Sequence, residues 1–482
     1  MGKRQDWSVT ACVFLFLSLA SQIHCRSHIP FPSPKRGVSS SGDTSHFNVI
    51  QRESVPSPKD KDLIQQLPGQ PSDVTFKQYG GYVAVNKPAG RFLYYYFVET
   101  IKPGNTTPLV IWFNGGPGCS SLGGAFKELG PFRVHSDGKT LFRNPYSWNN
   151  EANVLFLETP VGTGFSYSNS PINGKQGDKA TAEDNYMFLV NWLERFPEYK
   201  GRDIYIAGQS YAGHYVPQLA QIILHRNNQT LINLRGILIG NPSLNREIQD
   251  DFGYKFMFSH CLISQQQMDN YNKFCTDSDL YDWDKCHLAS QKIEAQKTHL
   301  DIYNIYAPLC LNSTLSSEPK KCTTIMKADP CSGNYLKAYL NIKEVQEAIH
   351  ANTTKIPYEW TSCNTKLLWE WNEKDRYVSL TPILQELMGK GVRVMLYNGD
   401  VDLVIPFTST LAVVKTMNLT VVKEWRPWFT GGHVGGFTED YKGNLTFVTV
   451  KGAGHSVPTD QPIHALNIFT SFIRNIPLPQ TA

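Results

Sequence analysis

The stretch IYIAGQSYAGHYVPQLA, residues 204–220, constrains this chain more than any other. A short apolar run ends in Gly208-Gln209-Ser210-Tyr211-Ala212-Gly213, and a helical pattern follows. A strand, a tight turn and a helix in that order display a serine hydroxyl at a sheet edge. The flanking residues must be small, because the turn is strained and neighbouring chains crowd it. Ala212 stands where the G-x-S-x-G pattern asks for its second glycine. Gln209 places an uncharged amide directly before the serine, which leaves open how such a site would meet a charged substrate.

A nucleophilic serine needs a base, and the base needs a carboxylate to orient it. In the strand-and-helix scheme these follow in the order serine, acid, histidine, each in a loop after a strand. Of thirteen histidines, His455 follows the strand-like LTFVTV in the Gly-rich loop KGAGHSVP. His214 lies four residues past Ser210 and reads as helix packing or surface; His433, in GGHV, has no strand leading directly into it and reads as loop. For the acid, VRVMLYNGDVDLVIP offers Asp400 and Asp402, and spacing does not choose between them. The oxyanion donors should be the N–H of Tyr211 and one from a Gly-rich loop after an early strand. VIWFNGGPGCSS, residues 110–121, supplies such a loop.

Other strand-like segments are GYVAVN, RFLYYYFVET, NVLFLETPVG and RGILIGNP, while ATAEDNYMFLVNWLERFP has helical spacing closed by a proline. Short apolar strands alternating with helices predict an α/β fold with a mostly parallel central sheet covered on both faces. Between about 250 and 350 the texture changes, and six of the eight cysteines expected in the mature chain fall between Cys261 and Cys331. This segment reads as an insertion over the C-terminal edge of the sheet within a single domain spanning 61–482. Its stretch LNSTLSSEPKKCTT looks open to proteases.

The N-terminus has signal-peptide grammar: basic residues in MGKRQDW, the apolar ACVFLFLSLA, then Ser18 and Ala20 at cleavage-site positions. Residues 1–20 are thus an expected signal, with cleavage at about 20–25, and the Ser/Pro-rich segment 26–60 a leader or propeptide. No later run approaches the ~18 apolar residues of a membrane span. Six N-x-S/T sequons, at Asn105, Asn228, Asn312, Asn352, Asn418 and Asn444, fit secretion. Neither a basic block with interleaved aromatics nor a C-x-x-C box is present, which argues against nucleic acid and against zinc. No cofactor is called for.

WFNGGPGCSSL, KELGPFRV, ETPVGTGFSYS, GQSYAGHYVPQLA, YNGDVDLVIPF and VKGAGHSVPTDQP together resemble the motif set of the serine carboxypeptidases, specifically the plant serine carboxypeptidase-like group. The resemblance runs from about residue 62 to the C-terminus. It implies an α/β-hydrolase fold with a helical insertion, a triad of Ser210, Asp402 and His455, and an oxyanion hole from Gly116 and Tyr211. It also implies disulfides Cys119–Cys363, Cys275–Cys286 and Cys310–Cys331, leaving Cys261 and Cys322 for a fourth bridge. Relatives are often dimers, and often cut within the insertion.

Exopeptidase action needs recognition of a free C-terminal carboxylate. The resemblance assigns that task to Asn114, the Gly115 N–H, Glu128 and the residue before the serine, here Gln209 instead of the usual Glu. A glutamine amide donates at any pH, so one titrating partner is missing. The implied activity is release of C-terminal amino acids from peptides. The alternatives are acyl transfer from a sugar ester on the same triad, and a non-catalytic binding protein on the same fold. The signal fits either vacuole or cell wall.

Overall fold

The computed structural model describes residues 59–481 except 171–175, 227–231, 277–279, 313, 320–328, 353–355 and 357. The expected signal (1–20), nearly all of the expected leader (26–60), Asn228 and Cys322 lie outside the described residues. Ten strands make up most of a 12-stranded sheet: β1 (Gln78–Asn86), β2 (Arg91–Val98), β3 (Leu109–Phe113), β4 (Asn153–Leu157), β5 (Asp203–Gln209), β6 (Asn233–Gly240), β7 (Arg393–Gly399), β8 (Val421–Thr430), β9 (His433–Tyr441) and β10 (Leu445–Val450). Their order is β1-β2-β4-β3-β5-β6-β7-β10-β9-β8, with Leu63–Ile64 added beyond β1 and Tyr167–Ser168 pairing with β2.

The six central strands, β4 through β10 in that order, pair in parallel, and both flanks pair antiparallel. Burial explains the difference. LVIWF of β3 is buried at every position, as a strand covered on both faces must be. Along β2 the side chains alternate between two cores. Leu93, Tyr95 and Phe97 pack with helices α1 (Asp178–Arg195) and α2 (Ala212–Arg226) through Trp192 and Tyr215. Tyr94, Tyr96 and Val98 pack on the opposite face, a layer that also holds Trp148 and Phe469 stacked at 4.1 Å. This is the α/β-hydrolase arrangement.

At the far edge the chain departs from expectation. His433, read as loop, opens β9, which pairs with β8 across Gly431-Gly432, both at positive φ. Two such residues make the two-residue hairpin turn that matches strand twist. Most of β8 faces solvent and it carries Pro427, tolerated at an edge, so it lacks the apolar run that marks the inner strands.

Between β6 and β7 lie residues 241–392, a longer interruption than the 250–350 read from texture. Its flanking helices Arg246–Ser259 and Thr381–Gly389 have ordinary amphipathic composition, so texture does not set them apart. A small core of Phe256, Met257, Ile263, Met268, Ile293 and Ile305 joins Val401 and Leu403, on either side of Asp402. Disulfides join Cys119 to Cys363, Cys275 to Cys286 and Cys310 to Cys331. Cys261 is exposed and unpaired among the described residues. Asn105, Asn312, Asn418 and Asn444 are exposed, whereas Asn352 is half-buried with its Nδ2 donating to Gln346 and its Oδ1 accepting from the Ile356 N–H. Among the described residues no helix is long and apolar enough to cross a membrane.

Candidate active site

Five neighbouring parallel strands, β3, β5, β6, β7 and β10, end on the same edge, and each loop leaving them contributes a polar group. In α/β sheets the carboxyl ends of strands are where sites form. The loops carry, in spatial order, Asn114 to Cys119, Ser210, Asn241, Asp402 and His455.

Ser210 has φ 63°, a left-handed conformation that non-glycine residues adopt only under constraint. The constraint is visible: the Ser210 N–H donates to Gly240 O at 3.0 Å, and Ser210 O accepts from the N–H groups of Ser243 and Gly213. A Cβ at Gly213 would lie 2.4 Å from Ser243 O, so the obligatory small residue is Gly213. Ala212, fully buried, fits its own position with a methyl group, which accounts for the departure from G-x-S-x-G.

His455 Nδ1 and Asp402 Oδ2 are 2.7 Å apart, both groups buried. Asp402 also accepts from Asn241 Nδ2 at 2.7 Å and from the N–H groups of Val404 and Ile405. Asp400 points elsewhere, accepting from the Gly452 N–H at 2.7 Å. Burial disfavours the charged His455 imidazole, but Asp402, with smaller contributions from Glu128 and Asp460, outweighs it and lifts the pKa above its usual value. Asp460 fixes the loop, accepting from the Gly454 N–H and from Asn304 Nδ2.

The glycine loop lies against the elbow. A Cβ on Gly115 would come within 2.4 Å of the Tyr211 nitrogen, so only glycine permits the approach. Among the described residues no protein acceptor takes the N–H of Gly115, Gly116 or Tyr211. The loop is tied to the segment after Trp360 by Cys119–Cys363 and by the backbone bonds Ser120 N to Ser362 O and Asn364 N to Gly118 O. Below it, Glu158 accepts from the Ser120 hydroxyl, the Phe165 N–H and Trp360 Nε1; burial pushes its carboxyl up to about 7.

Beside the loop, Asn114 Nδ2 and Gln209 Nε2 both donate to Glu128 Oε1, at 3.0 and 3.1 Å. Trp112 Nε1 donates to Asn114 Oδ1 at 2.7 Å, which sets the amide's orientation. Gln209 also donates to Ser456 Oγ, next to His455. Glu128 Oε2 is buried with no partner among the described residues. Burial raises the Glu128 pKa, against the opposing effects of Lys127, Asn114, His455 and Gln209.

The family profile for serine carboxypeptidases matches residues 68–475. Serine carboxypeptidase-like 36 and serine carboxypeptidase-like 37 of Arabidopsis thaliana are 99% and 75% identical, each over 100% of both chains. The chain belongs to the serine carboxypeptidase family. The crystal structure of KEX1(delta)p, a prohormone-processing carboxypeptidase from Saccharomyces cerevisiae, superposes with a TM-score of 0.70 at 24% identity, covering 87% of this chain and 96% of that one. At that identity the likeness supports the fold alone.

The family motifs do not exhaust the site. Asn241 follows β6 as GNP and looks like a turn residue, yet it holds Asp402 from the adjacent loop. His214, read as helix packing or surface, is fully buried and 2.7 Å from Asp178 Oδ2. Neither role has a local signal, because the partner lies 161 residues away in one case and 36 in the other.

Proposed function

We propose that the chain is a serine carboxypeptidase releasing C-terminal amino acids from peptides through an acyl-enzyme on Ser210. The observation that carries this reading is the cluster of Asn114, Glu128 and Gln209 beside the elbow, where among the described residues one Glu128 oxygen has no partner and the Gly115 N–H no protein acceptor. With its pKa raised by burial, Glu128 holds a proton to higher pH than an ordinary carboxyl. The two amides occupy Oε1, so the proton sits on Oε2 and can be donated to the substrate's terminal carboxylate. Gln209 keeps that arrangement neutral, where a second carboxyl would bring like charge.

In this mechanism His455 takes the Ser210 proton while Oγ attacks the scissile carbonyl. Asp402 at Nδ1 keeps the imidazole in the tautomer whose Nε2 is the base. The N–H groups of Gly116 and Tyr211 hold the oxyanion; losing one such donor typically costs ~10²–10³ in rate. His455 then protonates the departing amino acid, and water, deprotonated by the same base, releases the shortened peptide. Three disulfides suit an oxidising compartment, in keeping with secretion to vacuole or wall.

Purified protein should release free amino acid from N-blocked dipeptides and, assayed separately on a glucose ester with an alcohol acceptor, should form no new ester. Transfer to the alcohol without dipeptide cleavage would replace this reading with acyl transfer. A fluorophosphonate probe should label Ser210, and folded protein that resists it would point to a binding role.

A further inference from the structure

The molecule contains a second buried Asp–His pair, Asp178 with His214, the latter four residues past Ser210 in α2. Asp178 is the first residue of α1, and its carboxylate accepts four side-chain donors. Tyr211 OH and Trp371 Nε1 reach Oδ1 at 3.0 and 3.2 Å; His214 Nδ1 and Gln218 Nε2 reach Oδ2 at 2.7 and 3.0 Å. Trp371 Nε1 also donates to Tyr211 OH at 2.9 Å. The His214 ring lies flat on the Tyr211 ring, centroids 4.4 Å apart and planes 2° apart, and Trp371 meets Tyr211 edge-on. Asp178, His214, Tyr211 and Trp371 are all buried. Asp178 is itself anchored, its backbone N–H donating to Asp375 Oδ2 at 2.8 Å.

This cluster does not supply a second base. His214 Nε2 is buried with no partner among the described residues, so the imidazole leads no proton towards solvent or a further group. What the cluster grips is one residue, Tyr211. Its ring is stacked on one side and edged on another, and its hydroxyl is bonded on both sides. Burial, then the charge of Asp178, raises the Tyr211 pKa, so the hydroxyl stays a donor. Tyr211 directly follows the strained Ser210, and strained backbone persists only where its surroundings over-determine it. Its backbone N–H faces Gly115 and has no protein acceptor among the described residues.

We infer that Asp178 and His214 are positioning residues for the oxyanion hole: together they clamp the Tyr211 side chain so that its backbone N–H meets the tetrahedral intermediate. The inference rests on the acyl-enzyme reading of Ser210. It predicts a loss confined to the transition state, because the cluster of Asn114, Glu128 and Gln209 would hold the substrate's carboxylate through side-chain groups and the Gly115 N–H, not through Tyr211's N–H.

The test compares wild type with His214→Phe, which keeps a flat ring over Tyr211 but removes the donor to Asp178, and His214→Asn, whose amide nitrogen takes the place of Nδ1. Three readouts are needed: kcat and KM on an N-blocked dipeptide, affinity for an N-blocked amino aldehyde that forms a tetrahedral adduct with Ser210, and affinity for a free amino acid product. Phe should lower kcat about 10- to 100-fold, below the ~10²–10³ of a fully lost donor, with KM within about twofold. Aldehyde affinity should fall by the same factor and product affinity should not change; Asn should restore most of the loss. Unchanged kcat and aldehyde affinity in folded His214→Phe would overturn the inference, as would equal losses of aldehyde and product binding. If His214→Phe does not fold, Tyr211→Phe removes only the hydroxyl held by Asp178, and unaltered aldehyde affinity there would overturn it equally. Wild-type protein that binds the aldehyde but cleaves no dipeptide would refute the peptidase reading and leave this one standing.

Discussion

Two Asp–His pairs flank Ser210 with the same 2.7 Å separation, Asp402–His455 and Asp178–His214. Their chemistry on paper is identical, and their surroundings make them different. His455 sits on a loop beyond β10, on the rim where five strand ends meet, within the fields of Glu128 and Asp460 as well as its own aspartate. His214 sits inside α2, sealed under Tyr211, with its second nitrogen buried and unpaired among the described residues. A base must reach a reacting atom, and a clamp must reach none. The pair's role is therefore set by what its free nitrogen faces, which the residue pair alone does not reveal.

The largest test of that contrast removes the reacting members. Ser210→Ala and His455→Ala should each lower kcat about 10⁴- to 10⁶-fold, and the double variant should lose little more, because the two act as one unit. His214→Ala should stay within about 10²-fold of wild type in kcat. The order reverses for stability: His214→Ala removes one of four donors to the buried Asp178 carboxylate, and a hydrogen bond to a charged group contributes about 1.5–3 kcal/mol. His455→Ala should cost less, since Asp402 keeps Asn241 Nδ2 and the backbone N–H groups of Val404 and Ile405 as donors. Steady-state kinetics and denaturant midpoints on the same three proteins measure both orders, and parallel rankings would break the comparison.

Charge neutralisation of each aspartate comes next. Asp402→Asn should lower kcat about 10⁴-fold, because the amide favours the tautomer with the proton on the wrong nitrogen. Asp178→Asn has no catalytic tautomer to disturb and should lower kcat by no more than about 10²-fold, the scale of a weakened oxyanion donor. Activity that rises again at high pH in Asp402→Asn alone would sharpen the contrast further.

Much of this geometry was legible in the chain as written. Ser210 and His455 are marked by strand-exit loops with small neighbours, a one-dimensional grammar that survives without a structure. The same grammar marks Asp400 and Asp402 equally, since both follow β7; they part only in space, one to the Gly452 N–H and the other to His455. Asp178 reads as an ordinary acidic residue at a helix start, and Asn241 as a turn former. Each owes its role to a long-range partner. The β8–β9 hairpin was missed for the opposite reason: an edge strand facing water lacks the apolar pattern that identifies a strand.

The carboxylate cluster supplies a smaller effect, felt through pH. On the proposed reading Glu128 is protonated when it holds the substrate's carboxylate, and burial raises its pKa above the ordinary carboxyl value. Gln209→Glu adds a second carboxyl that must also be neutral, and like charge makes the last proton of such a pair bind only at lower pH. KM at neutral pH should rise about tenfold, equivalent to ~1.4 kcal/mol, and the alkaline limb of kcat/KM should move towards acid. Superposable pH profiles for the two proteins would remove Gln209 from the account of binding.

The smallest effect concerns the side chains that support each aspartate. Asn241 donates to Asp402 at 2.7 Å and Gln218 to Asp178 at 3.0 Å, both hydrogen bonds to a carboxylate. Such bonds contribute about 1.5–3 kcal/mol when the acceptor is charged. Asp402 keeps two backbone N–H donors without Asn241, but loses the donor that reaches it from the loop after β6. Its carboxylate is then free to turn away from His455, and Asn241→Ala should lower kcat about 3- to 10-fold with KM unchanged. Asp178 without Gln218 still holds Tyr211, Trp371 and His214, so Gln218→Ala should leave kcat within about twofold and register only as lost stability. If the two variants lose kcat alike, the sealed pair is as catalytically exposed as the open one, and the distinction between base and clamp fails at its finest grain.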